Sequence, residues 1–417
     1  VEWSVNLGTG ARVNVVGAVF EFLLCAGAVI LILPEAIVLI ETLGALLPRA
    51  RPRKPAEGSA PRMAVLIPAH NEAPQIATTV RSLGAQLGVR DRLIVIADNC
   101  ADETAAVARS AGATVIERQD AERRGKGFAL TFALEYLDGD PPDVVVVVDA
   151  DCHVSAGGLP LLAGLAATFN TPIQAEYLIQ SPPHPTPVTV VSGLAVLIRN
   201  RVRQTGLNRL GLPCHLAGSG MAFPWKVLRE APAMGSELVE DLVLGIQMAL
   251  TGHAALFCPE VRVTSELPDN KDAAMSQRRR WEHGQLYTLA KYFPRLVGAG
   301  LARGQAGLLG LGFDLMVPPL ALLVMLQVAI LTVAVAAGVI GLTSFLPAAL
   351  AGGGVAILGI AIGAAWLVFG RQIAPLRYAL FIPFYVLWKI PLYLSLALRG
   401  KQKTWERTAR RTESDPK

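Results

Sequence analysis

The stretch "VVVVVDADC", residues 144–152, sets five consecutive valines ahead of two aspartates separated by one alanine. An unbroken β-branched run fits a strand covered on both faces, the environment of a parallel sheet with helices on either side. Charge is excluded from such an interior unless it is paired or holds a metal. Asp149 and Asp151 are therefore expected where the strand leaves the core. The chain has to build a two-sided α/β core around this strand and leave a polar site at its end.

The preceding residues supply the partners. Strands are expected at 63–68, 92–97, 114–117 and 144–149, with helices near 74–88, 102–111 and 127–137. Alternation at this spacing implies right-handed βαβ units and a mostly parallel sheet flanked by helices. Each strand runs into a polar cluster: "PAHNEA" with Asn71 and Glu72, "DNCADET" with Asp98, Asn99 and Asp102, "RQDAERRGKG" with Arg124, Gly125 and Lys126, then Asp149 and Asp151. Ligands of open parallel sheets bind beyond the carboxyl ends of the strands, so the four clusters converge on one cleft. One Asp-x-Asp alone says little, because aspartate is common in turns; four clusters at one sheet edge say much more. Carboxylates there can receive ribose hydroxyls and base N–H groups, while Lys126 and a divalent cation can neutralise phosphates. No GxGxxG follows the first strand and no GxxxxGK[ST] occurs, which argues against a dinucleotide oxidoreductase and a P-loop ATPase.

The chain is too apolar to be only such a domain. Of its 417 residues 52% are hydrophobic and mean hydropathy is +0.44, which calls for membrane spans beside the globular part. Residues 15–40 are long enough to cross and read as an anchor rather than a cleaved leader. Glu21 and Glu35 within them are costly in lipid, so this helix should tilt or pack on a partner. Further spans are expected at 317–341 and 346–369, while Asp314 and Pro318-Pro319 make 286–313 a segment along the membrane surface. Residues 378–398, with Lys389 and two prolines, are expected to be interfacial or re-entrant, leaving the basic tail cytoplasmic. The net charge of +5 is concentrated in "PRARPRK" (48–54) and at 399–411, beside apolar segments. That placement points to anionic lipid headgroups and not to nucleic acid. Five scattered cysteines without metal or redox spacing fit a reducing compartment. The expected division is a transmembrane helix (1–48), a basic linker (49–61), an α/β domain (62–285), interfacial helices (286–316), transmembrane or re-entrant helices (317–398) and a basic tail (399–417).

"PAHNE", "ADNCADET", "RRGKG" and "VVDADC" resemble the successive motifs of family 2 glycosyltransferases, which have the nucleotide-sugar-binding GT-A fold. "ELVEDLVLGIQMALTGHAALFCPE" (237–260) resembles that family's Glu-Asp motif and helix, with Ser236 a candidate cap. "QRRRW" (277–281) is similar to the Gln-x-x-Arg-Trp motif of its membrane-bound branch, which includes cellulose synthase, hyaluronan synthase and ceramide glucosyltransferase. The resemblance spans about 62–285, and six motifs in order make it specific.

The resemblance implies an inverting enzyme that transfers sugar from a nucleoside diphosphate, UDP by the family pattern with a guanosine donor also open, to a lipid or lipid-linked glycan. Pro68, Glu72, Asp98, Lys126, Asp149, Gln277 and Arg280 would bind the donor, with Asp98 reading the base. Asp149 and Asp151 would hold Mg²⁺ or Mn²⁺; His153 beside them is more often simply hydrogen-bonded. Asp241, beside Glu240, would be the general base. Gly218, Ser219 and Trp281 would meet the acceptor, and Gly220 would also let backbone approach a sugar. Arg278 and Arg279 would lie on the membrane surface. Expected partners also include membrane lipids and a homo-oligomer or biosynthetic complex at the inner or plasma membrane, with the catalytic domain cytoplasmic. A processive polysaccharide synthase and a catalytically silent nucleotide-sugar scaffold are the competing readings.

Overall fold

In the computed structural model, which describes residues 4–6, 12–48, 52–58, 60–182, 185–232, 235, 237, 239–266 and 271–399, the valine run forms a central strand of an eight-stranded sheet. A short antiparallel hairpin, β1 (Ser4–Asn6) and β2 (Arg12–Asn14), stands apart from it. The sheet comprises β3 (Met63–Ala69), β4 (Arg92–Asp98), β5 (Thr114–Arg118), β6 (Val144–Val147), β7 (His153–Val154), β8 (Ile173–Gln180), β9 (Met221–Pro224) and β10 (Leu256–Glu266). Their order is β5-β4-β3-β6-β9-β8-β10-β7. The β5-β4-β3-β6 half is parallel throughout, as expected. Beyond β6 the sheet is mixed: β9 runs antiparallel to both β6 and β8, and β7 antiparallel to β10.

The alternation of side chains along each strand builds two apolar layers. Val65, Ile67, Val95, Val144 and Val146 face Ile76, Val80 and Leu83 of the helix Ala73–Gly84 and Leu159, Leu162 and Leu165 of the helix Gly158–Phe169. Leu66, Ile94, Ile96, Val145 and Val147 face Leu130, Leu134 and Leu137 of the helix Lys126–Leu137 and Leu244 and Met248 of the helix Glu240–Leu250. Val144 to Val148 are all buried, so both faces of the strand are covered and its polar end alone is left open.

Three helices, Val15–Leu46, Leu320–Val339 and Leu346–Gly370, are long and apolar enough to cross a membrane. They pack through Val38, Leu323, Leu358 and Ala361. Glu35 is completely buried in this bundle, and Glu21 receives both the N–H and the hydroxyl of Ser344 from the turn between the other two helices. Residues 376–399 are broken into a 3₁₀ turn and the short helices Ile382–Trp388 and Ile390–Arg399, each too short to span.

The helix Lys271–Arg303 runs on past the expected division at 285. That helix and Ala306–Met316 pack Tyr292, Leu296, Leu308 and Leu311 against Leu242, Val243 and Ile246 of the helix Glu240–Leu250. Segment 286–313 is thus anchored on the α/β domain through its apolar face. Arg278 is likewise buried, its guanidinium over the Trp388 ring at 5.4 Å, because the 382–399 helices cover that side; Arg279 is exposed. In the linker, Arg53 donates to Asn208 Oδ1 (2.7 Å) and to the Phe257 carbonyl (3.1 Å), a protein contact instead of a lipid one. The expected tail at 399–417 lies, apart from Arg399, outside the described residues.

A buried ionic cluster joins anchor and domain. Arg203 pairs with Glu41 of the helix Val15–Leu46 and with Asp314 of the helix Ala306–Met316, each at 2.5 Å. His215 Nε2 lies 3.3 Å from the second oxygen of Asp314, and burial pulls His215 below its usual pKa.

Candidate active site

The carboxyl ends of β3, β4 and β6 open into a cleft of about 270 Å³. The loops around it are tied to one another by side chains that the sequence suggested as ligands. Asn71 and Asn99 adopt left-handed backbone (φ 55° and 52°), a conformation asparagine tolerates. Asn71 Oδ1 accepts the N–H of Ala101 (2.7 Å) and Asn99 Oδ1 that of Asp120 (2.8 Å). Asp102 accepts the N–H groups of Ala73 and Thr104, and Thr104 Oγ1 accepts that of Glu72 (2.8 Å). These residues fix the shape of the cleft, whereas Pro68, Glu72 and Asp98 line it.

Asp98 is not a bare carboxylate. Its Oδ1 receives Arg118 Nη1 at 2.6 Å and Asn99 Nδ2 at 3.0 Å. Arg118, from β5, was missed by sequence reasoning because a lone arginine ending a strand carries no motif. His70 Nδ1 donates to the Asp98 carbonyl (2.7 Å) and also lines the cleft.

Lys126, at the start of its helix, reaches Asp149 Oδ1 and the Gly218 carbonyl, both at 2.5 Å. Burial opposes its charge, but Asp149, Glu240 and Asp241 together hold its pKa above the ordinary value. Burial also raises the pKa of Asp149, with Lys126 acting against that rise. Asp151 lies beside Asp149 in the cleft. Ligand atoms of Asp149, Asp151 and Cys152 fall within 4.8 Å of one another. The two carboxylates are the hard oxygen donors that Mg²⁺ and Mn²⁺ prefer, with room for substrate phosphates. Cys152 is buried and its thiol is pushed well above its ordinary pKa, so it does not fit as a ligand for such a cation. His153 points elsewhere: it is exposed on β7, with Nδ1 3.1 Å from Ser82 Oγ.

Glu240 and Asp241 form the first turn of their helix and both line the cleft. The residue before the helix is Val239, which makes no side-chain cap; Ser236 lies outside the described residues. Burial, followed by the charge of Asp241, pushes Glu240 up to about 7. The "LAGSGMAF" loop meets this helix. Gly218 (φ +94°) lines the cleft, and a Cβ on it would stand 3.3 Å from Asp241 Oδ2.

Ser219 and Gly220 correct the sequence reading. Ser219 has no exposed surface; its Oγ accepts the Asp149 N–H at 3.1 Å, so it orients the acid and is out of an acceptor's reach. The close approach at Gly220 is to Val263 and Ala175 across the sheet, where a Cβ would collide at 2.5 and 2.9 Å.

Gln277, Arg280 and Trp281 close the cleft from the helix Lys271–Arg303. Arg280 Nε is buried and has no hydrogen-bond partner among the described residues. Tyr177, Ile179, Val196, Arg199 and Asn200 also line the cleft, and none belongs to a stretch that the sequence singled out.

The fold has solved relatives. A mannosyltransferase, PcManGT, from Pyrobaculum calidifontis, solved with GDP-Man and Mn²⁺, is 20% identical and superposes with a TM-score of 0.53 over 88% of this chain and 99% of that one. Glucosyl-3-phosphoglycerate synthase from Mycobacterium tuberculosis, solved with Mn²⁺, UDP and phosphoglyceric acid, is 22% identical, with a TM-score of 0.38 over 54% of this chain and 78% of that one. No functionally curated protein matches the sequence. The sheet and its flanking helices are GT-A-like, and the model of the family described as "Glycosyltransferase like family 2" matches residues 61–284, more than half of the chain: the protein belongs to that family.

Proposed function

We propose that the protein is a membrane-anchored, inverting glycosyltransferase that moves a sugar from a UDP- or GDP-linked donor to a lipid or lipid-linked glycan. The observation that carries this reading is that Asp98, Lys126, Asp149, Asp151, Asp241 and Arg280, from five separate segments, line one cleft. The ligands of PcManGT, GDP-Man and Mn²⁺, support the same chemistry.

In this mechanism the second oxygen of Asp98 takes a base N–H while Arg118 fixes the first. Asp149 and Asp151 would hold Mg²⁺ or Mn²⁺. The cation supplies Lewis-acid stabilisation of the diphosphate. Arg280 adds a guanidinium suited to phosphate oxygens. Lys126 holds Asp149 and the Gly218 loop in register. Asp241 accepts the proton of the acceptor hydroxyl. The acceptor oxygen bonds the anomeric carbon as the bond to the diphosphate breaks, and that electron pair leaves with the nucleotide.

The basic linker favours a cytoplasmic catalytic domain, where soluble nucleotide sugars are within reach. The three helices among the described residues that are long enough to cross are few for a single-chain polysaccharide channel, which favours single addition over processive synthesis. A silent scaffold has no need of Asp241 at the cleft. The test is a panel of UDP- and GDP-sugars incubated with membranes carrying the full chain, reading nucleotide release and labelled lipid together. Transfer from one donor is expected; no nucleotide release and no labelled product from any donor would refute the enzyme reading.

A further inference from the structure

We infer that the acceptor carries an anionic group beside its reacting hydroxyl, and that Arg199 receives that group. The inference rests on the cleft being a nucleotide-sugar transfer site.

Arg199 belongs to a π-helical stretch, Ile198–Arg203, that directly continues the helix Pro187–Leu197. Such wide turns are uncommon and occur often at functional sites. Here the turn sorts four polar side chains. Asn200 Nδ2 donates to the Tyr177 carbonyl at 3.1 Å. Arg201 pairs with Glu176 at 3.0 Å and lies over the Phe369 ring. Arg203 pairs with Glu41 and Asp314. Arg199 lines the cleft and, among the described residues, has no recorded hydrogen bond or ion pair.

Arg199 is half-buried in the cleft wall, and a guanidinium partly withdrawn from water gains from a counter-charge. Burial pulls Arg199 below its ordinary pKa, and Asp241 is the strongest of the charges that oppose this. Asp241 is also the proposed base. Once it takes the acceptor's proton its charge is gone, the weaker influences of Asp314 and Glu282 remain, and an anion on the acceptor would restore what Asp241 no longer supplies. A phosphate or carboxylate next to the reacting hydroxyl supplies it, in the bidentate geometry that arginine favours.

The surroundings add the carbon skeleton. Ile179 and Val196 line the cleft near Arg199. The helix that carries Val196 packs its Val190, Leu194 and Leu197 in one cluster with Ala45 and Ala365 of two spanning helices. The Arg199 side of the cleft therefore adjoins the membrane bundle, which fits an anionic amphiphile entering from the bilayer.

The experiment measures binding to the full-length protein in nanodiscs saturated with UDP or GDP and Mn²⁺. Two probe pairs are compared: phosphatidylglycerol against diacylglycerol, and glycerol phosphate against glycerol. At least one anionic member should bind about ten-fold more tightly than its neutral partner, the scale of one charge-assisted contact. A preference confined to the lipid pair identifies a headgroup; one seen in both identifies a free phosphate as sufficient. Arg199→Gln should remove the preference, and Arg199→Lys should keep part of it, with nucleotide affinity unchanged in both. No preference in the wild type, or one that R199Q leaves intact, overturns the inference. If R199Q fails to fold, an undiminished preference in R199K together with no loss in R199A overturns it equally. A nucleotide-linked uronic acid weakened by R199Q more than the matching hexose would place the anion on the donor and overturn the acceptor assignment. Loss of nucleotide binding in the wild type would instead overturn the reading of the cleft itself.

Discussion

Gly218 lies directly against Asp241: a Cβ at Gly218 would stand 3.3 Å from Asp241 Oδ2, while the Gly218 carbonyl accepts from Lys126. Backbone that bonds the lysine on one side and crowds the proposed base on the other sets the distance between donor and acceptor ends of the cleft. Gly218→Ala adds a Cβ at φ +94°, where an L side chain costs about 1–2 kcal/mol. That strain lowers stability; the added Cβ also presses on Asp241 Oδ2, and displacement of this carboxylate should lower turnover about ten-fold, as about 1.4 kcal/mol on the barrier does, with nucleotide affinity little changed. Unaltered kcat in a steady-state assay would show that the loop does not position Asp241.

Asp241→Asn keeps the size and removes the proton acceptor. Transfer should drop by roughly 10²–10⁴, with nucleotide-sugar binding retained by calorimetry. Wild-type turnover in this variant would remove Asp241 from the role of base.

Chelation should abolish transfer, and Mg²⁺ or Mn²⁺ should restore it. Asp151→Asn should weaken the restoring cation by at least about 10-fold, a loss seen even for residues that only support a ligand. Titration of activity against cation concentration checks this, and full activity in chelator would exclude the assigned role of both aspartates.

Glu240 gives a pH prediction for the protein without added cation. Its proton is held in the fold up to about pH 7, whereas an unperturbed glutamate releases it near 4.5. Between those values the folded state binds more protons than the unfolded chain, so the contribution of this group to stability falls as pH rises through the window. The effect is on the order of 1–3 kcal/mol after discounting for partial exposure. Tm should decline from pH 5 to pH 8, and Glu240→Gln should flatten that decline. An identical slope in E240Q would assign the decline to other groups.

Arg203→Gln breaks the pairs to Glu41 and Asp314 and leaves buried carboxylates unmatched. Destabilisation of about 3–5 kcal/mol is expected, read as a lower temperature of aggregation in detergent. A stability equal to wild type would mean that the cluster does not hold anchor and domain together.

The half of the fold legible in the sequence is the half built from uniform strands. β3, β4 and β6 are buried apolar runs, and their helices recur at regular spacing. The other half hides its pattern. In β8, Gln174 and Glu176 are buried: Gln174 binds the backbone of Ser219 and Ala217, and Glu176 pairs with Arg201 and Arg262. Polar residues serving the core read as surface in one dimension. β9 has four residues, and the β8–β10 register shifts between Cys258 and Arg262, so neither offers a clean alternation. Asp98, Lys126, Asp149, Asp151, Asp241 and Arg280, which line the cleft, were visible in the sequence because they stand in recognisable motifs. Arg199 was not, because "IRNRVR" reads as a solvated basic run and only the wide helical turn sets Arg199, which has no ion pair among the described residues, apart from Arg201 and Arg203.

The grip of Arg203 on Glu41 and Asp314 has a mechanical consequence. The α/β domain and the helix Val15–Leu46 are fastened here by buried charge, so in the proposed membrane-anchored enzyme this joint would set the height of the cleft above the bilayer, and with it the length of acceptor able to reach Asp241.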